Sequence, residues 1–177
     1  DLISFGKCEM HQSSDINGMS SNVELAELPL GEQFVLWGAR LWVKSQHFAP
    51  ALHLNLRDGF RAAHIEEGYL VLDRIMTLLS TQASQDIFFH CTNCNGITDH
   101  EQLVLGVIAE LQTEGEGKAH RILLDWLPSA TAHVAGREFN EFAILLKENG
   151  LHIRERQWFS IGNGSSRALI SLLPTVH

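Results

Sequence analysis

Little cysteine and no surplus of positive charge are the first features of this sequence, and each shortage removes a class of function. Three cysteines in 177 residues cannot make a full set of disulfides, so the chain is expected to fold without a disulfide framework and to reside in a reducing cytoplasm. Thirteen Lys and Arg face 21 Asp and Glu, a formal charge of −8. Without a basic cluster, counterion release contributes little, and nucleic acid is not an expected partner. No apolar run reaches the roughly 18 residues a membrane-spanning helix requires. The opening DLISFGKCEMHQSSDINGMSS lacks the basic start and apolar stretch of a signal peptide. A membrane is not an expected partner either.

Catalytic signatures are also missing. There is no Gly-x-Ser-x-Gly elbow, no phosphate loop ending in Gly-Lys-Ser/Thr and no Rossmann glycine fingerprint. His100-Glu101 is followed by Val104, which breaks the zinc-protease motif, and no Glu stands three residues before any histidine, as a di-iron bundle would need. Gly162-Asn-Gly-Ser-Ser166 has no helix-forming run after it and reads as a hairpin loop rather than a phosphate cradle.

What is present is a globular pattern: 45% hydrophobic and 19% charged residues, enough for one domain. Residues 1–22 are polar and aperiodic and read as an N-terminal arm, leaving 23–177 as a single globular domain. Phe34, Trp37, Leu41 and Trp42, widened by Val35, Leu36 and Val43, predict a helix over 30–46 with an unusually broad apolar face. Trp37 and Trp42 point about 140° apart on helical geometry. One ring is expected in the core and the other in a homodimer interface; the alternative is a single core that takes both.

Beyond Pro50, the stripe Ile65, Tyr69, Leu72, Met76 and Leu79 predicts a helix over about 54–79. Gly59 and Gly68 within it mark a break or a close crossing. Thr98-Asp-His-Glu101 is a capping box and places a helix start at Thr98. A fourth helix is expected from near Lys118 to Pro128, and a fifth over 129–148, stopped by Asn149-Gly150. After Gly150 the period shortens to two, predicting a β-hairpin over 151–173, with Ile87–His90 as a candidate third strand. The expected fold is therefore mainly α, about five helices in a bundle-like arrangement, with a small C-terminal β-hairpin; it is α+β at the margin.

The one concentration of reactive residues is Ile87-Phe-Phe-His-Cys-Thr-Asn-Cys-Asn-Gly96. Cys91 and Cys94 have the spacing of half a zinc clip. Cys8-Glu-Met-His11 could supply the other half if the arm folded back, and His90 and His100 are nearer substitutes. A redox pair would need the cysteines at the amino end of a helix within a βαβ unit, a pattern the surrounding sequence does not display. Two unbound thiols in a strand-to-helix connection are the plain reading.

Three functions follow. The leading one is a non-enzymatic helical assembly or regulatory protein, dimerising through helix 30–46. The second is a structural zinc module on Cys91 and Cys94; no cofactor is expected otherwise, and zinc is the ion these ligand types suit best. The third is a ligand-binding protein or enzyme whose pocket draws on residues such as His64, Tyr69 or His120.

Overall fold

The computed structural model describes residues 3–5, 24–47 and 51–156. The order is β1 (Ile3–Phe5), a short 3₁₀ turn (Leu25–Glu27), α1 (Leu30–His47), α2 (Leu52–Ala62), α3 (Gly68–Gln82), β2 (Ile87–Phe89), α4 (Asp99–Gln112), α5 (Glu116–Trp126) and α6 (Ser129–Glu148). The protein is mainly helical, as its periodicity predicts. No helix among the described residues is long and apolar enough to cross a membrane.

α1 is the buried centre. Val35, Leu36, Ala39, Trp42 and Val43 have almost no solvent exposure, because the helix is apolar around most of its circumference and packs on several elements. The Trp42 indole N–H donates to Asp73 Oδ1 on α3 at 2.7 Å. Trp37 is half-buried and lies against Phe34 at 5.7 Å between ring centroids. Trp42 is buried within one copy of the chain, Trp37 only in part, and Leu30 on α1 is 74% exposed.

The single helix expected over 54–79 is two helices. α2 ends in a Schellman motif: the His64 amide donates to the Arg61 carbonyl at 3.0 Å and the Ile65 amide to the Phe60 carbonyl at 3.1 Å, with His64 at φ 60°. Ile65, the residue after the left-handed position, is buried, which supplies the hydrophobic contact typical of this stop. Gly68 then opens α3 at a tight approach: a Cβ there would lie 3.1 Å from the Phe60 ring, which would have to give by a few tenths of an ångström. Break and close crossing coincide.

Thr98 caps α4 as its motif predicts. The Glu101 amide donates to Thr98 Oγ1 at 3.0 Å and the Thr98 amide to Glu101 Oε2 at 2.9 Å. α6 starts after Pro128 and stops at Gly150, whose φ of 74° is the left-handed cap glycine tolerates best.

The strands correct two expectations. Ile87–Phe89 is a strand, but its partner is Ile3–Phe5, taken from the segment read as a polar arm. The two pair in parallel, Ile3 opposite Ile87 and Phe5 opposite Phe89. α1 to α3 form the crossover, so the chain contains a βαβ-type unit that its sequence hides. Among the described residues, the other edge of β2 is closed by side chains and not by a third strand. The Phe88 amide donates to His100 Nδ1 at 3.4 Å, and the Thr98 hydroxyl to the Phe88 carbonyl at 2.8 Å. Satisfying the edge in this way blunts a template for further strand pairing.

The C-terminal β-hairpin is not found among the described residues. Residues 151–156 run without a ladder, held by side chains: the Ile153 amide donates to Gln112 Oε1 at 2.8 Å and the Arg154 amide to Glu32 Oε1 at 3.0 Å. Positions 157–173 of the expected hairpin lie outside the described residues.

Candidate functional site

β2 delivers the chain into the loop containing Cys91 and Cys94. The two cysteines form a disulfide, with Cα atoms 5.4 Å apart, which replaces the plain reading of two unbound thiols. Cys91 is half-buried and Cys94 is 4% exposed, so solvent meets the first cysteine more readily than the second.

The loop is held from beneath by Arg40 on α1. Its side chain is fully buried, and all five guanidinium N–H groups have acceptors. Nε donates to Glu101 Oε1 at 2.6 Å and Nη2 to Glu101 Oε2 at 2.9 Å. Nη1 reaches the carbonyls of Cys94 at 2.7 Å and Cys91 at 3.5 Å, and Nη2 that of Gly96 at 2.7 Å. Glu101 is equally saturated. Besides Arg40 it accepts from the His90 amide at 3.1 Å and from the Thr98 amide at 2.9 Å. A buried ion pair is tolerable only when its remaining lone pairs and protons are filled in this manner. The network ties α1, β2, the cysteine loop and α4 into one unit.

His90 lies over the loop, its Nε2 3.4 Å from where a Cβ on Gly96 would stand. Its Nδ1 is buried with no hydrogen-bond partner among the described residues. His100 sits between Phe88 and Trp126, each ring centroid 5.9 Å away. Burial pushes its pKa below the ordinary 6.5, opposed by the charges of Asp99 and Glu101. A neutral imidazole is what its role requires, since Nδ1 accepts the Phe88 amide.

Of the proposed zinc ligands, the structure brings Cys91, Cys94 and His90 into one loop. Cys8 and His11 lie outside the described residues. Among the described residues no three His, Cys, Asp or Glu side chains are placed to hold a metal ion. His64 is exposed at the α2–α3 turn. Tyr69 packs edge-on to His53 at 6.4 Å, and His120 stacks on His133 across the α5–α6 seam.

Sequence reasoning missed Arg40, whose partner is 61 positions away. A lone arginine inside an apolar helical face was the available signal. Fold and site together define a small helical protein with a disulfide-bearing strand-to-helix loop anchored by a saturated buried ion pair. Comparison with protein families, curated proteins and solved structures finds no match.

Proposed function

We propose that this chain is a non-enzymatic helical regulatory protein whose input is the thiol–disulfide state of Cys91 and Cys94. The observation that carries the reading is the pairing of these two cysteines in a loop whose carbonyls are fixed to α1 by a buried guanidinium. A change in that loop is felt by three elements at once, which a signalling device needs and a passive staple does not.

The chemistry is thiol–disulfide exchange. A small disulfide such as oxidised glutathione is attacked by the thiolate of Cys91, the more accessible sulfur, and releases one reduced thiol. The Cys94 thiolate then displaces the second, giving the intramolecular disulfide. Two protons leave the protein and two electrons pass to the small disulfide. In a reducing compartment the pair would cycle rather than persist, the usual behaviour of cytosolic disulfides.

Differential alkylation with mass spectrometry across a glutathione redox series tests this. The two thiols should disappear together. Cys94→Ser should trap glutathione on Cys91, whereas Cys91→Ser should leave Cys94 largely unmodified. Thiols that stay reduced throughout, or a pair that no reductant opens in the folded protein, would refute the proposal.

A second reading, a structural zinc site, draws on the parallel strand pair. β1 and β2 run in the same direction, with Phe5 beside Phe89; Cys91 follows β2 by two residues, and Cys8 and His11 follow β1 by three and six. Stoichiometric zinc in reduced protein prepared without chelator, lost in Cys8→Ser, would favour it over the redox switch.

A further inference from the structure

The seam between α5 and α6 holds a cluster that the cysteine loop does not use. The imidazoles of His120 on α5 and His133 on α6 stack with centroids 4.4 Å apart and planes inclined by 28°. They border a cleft of about 380 Å³ that Arg137 and Asn140 also line. His133, Arg137 and Asn140 recur at i, i+4 and i+7, one stripe of α6, where a packed helix pair would ordinarily present apolar side chains to its seam. Gly117 and Gly136 are also among its lining residues. A Cβ on Gly117 would meet nothing within 4 Å, and one on Gly136 only Leu123 Cδ1 at 3.8 Å. Leu111 and Ala119 supply an apolar floor.

The charge in this cleft is not neutralised as it is elsewhere. Arg74 takes both Glu138 and Glu141, and Lys118 takes Glu110 and Glu155. Arg137 forms no ion pair among the described residues, and the side chains of His120, His133 and Asn140 form no hydrogen bond among them. Four donor-bearing groups from two helices thus converge on one concavity in a chain whose formal charge is −8. Against them stands one lining carboxylate, Glu116.

We propose that this cleft binds a small phosphorylated ligand, its phosphate held by Arg137, His120, His133 and Asn140. A guanidinium offers a planar fork to two oxygens, and a neutral imidazole still donates through one nitrogen. Donors approaching from two helices suit a tetrahedral oxyanion better than a flat carboxylate, for which the arginine fork alone would suffice. The volume falls at the lower end of the range of small-molecule sites, so the organic part is small and rests on Leu111 and Ala119.

NMR titration of the full chain, following the histidine ring protons, tests this with inorganic phosphate, phenyl phosphate, succinate and zinc chloride at constant ionic strength. Phosphate should give saturable shifts at both His120 and His133, and phenyl phosphate should bind more tightly. Arg137→Gln, an exposed position that leaves the core intact, should weaken both at least tenfold. Glu116→Gln should strengthen them by removing the opposing charge. Linear, unsaturated shifts with phosphate would overturn the proposal. So would affinity unchanged in Arg137→Gln, or a preference for succinate or zinc over phosphate.

Discussion

Replacing Arg40 with methionine removes a buried cation while keeping most of its volume. The change leaves the Glu101 carboxylate, 0% exposed, with its two backbone donors and no counter-charge. Breaking a buried pair from one side costs about 3–5 kcal/mol, because an uncompensated charge stays in a poorly solvated site. The Cys91, Cys94 and Gly96 carbonyls lose their donor too; Gly96 is exposed and can turn toward water, whereas the carbonyl of buried Cys94 adds to the loss. In a chain of this size each kcal/mol moves the melting midpoint by about 2–4 °C, giving a fall of roughly 6–20 °C. Urea denaturation with the cysteines reduced measures the loss directly, provided the slope is unchanged. Arg40→Lys should recover only part of it, three donors replacing five. Arg40→Met combined with Glu101→Leu should cost less than the two single changes added, since each single change leaves a buried charge behind and the pair together leaves none. A loss under about 1 kcal/mol for Arg40→Met, or strict additivity in the double variant, would refute the claim that this pair anchors the loop.

His100 makes stability depend on acidity in a defined direction. Because burial lowers its pKa in the fold from 6.5, the unfolded chain takes up the proton first. Stability is therefore unaffected above that value and falls as pH drops through it toward the folded pKa. Melting curves between pH 7.5 and 5 should slope less steeply for His100→Gln than for the natural chain; parallel slopes would show that His100 is not the group responsible. Two glycines should respond with opposite sign. Alanine at Gly59 gains about 1 kcal/mol of helix propensity, yet its Cβ would run into the Trp37 indole, and overpacking typically costs about 1–3 kcal/mol. Gly136→Ala meets only an ordinary contact and should stabilise by about 1 kcal/mol. Urea midpoints that move the same way for both would count against this packing.

Features readable in advance were those whose cause is local. Thr98 and Glu101 cap a helix through bonds spanning three residues, Pro128 and Gly150 punctuate α5 and α6, and the α1 face is a matter of period. The division between α2 and α3 was signalled by Gly68 but its position was not readable, because the left-handed stop is occupied by His64 instead of glycine, and Gly68 contributes through the Phe60 ring it approaches. β1 is three residues long, too short for any alternation to register. Its strand identity comes from Ile87–Phe89, more than eighty positions away. His120 and His133 looked unrelated for the same reason: α5 and α6 must pack before the rings can meet.

The cysteine loop shows how a local motif acquires a distant consequence. Read from the sequence, Glu101 is the returning half of a capping box. In the fold the same Oε2 that accepts the Thr98 amide also accepts Arg40 Nη2, and Oε1 takes Arg40 Nε and the His90 amide. Capping fixes the carboxylate at the first turn of α4, immediately after the cysteine loop. There it takes Arg40 Nε and Nη2, and the remaining guanidinium donors fall on the Cys94 and Gly96 carbonyls. The cap is thus a condition for the loop's rigidity, and a sequence that kept Arg40 but lost Thr98 would hold the cysteines less firmly.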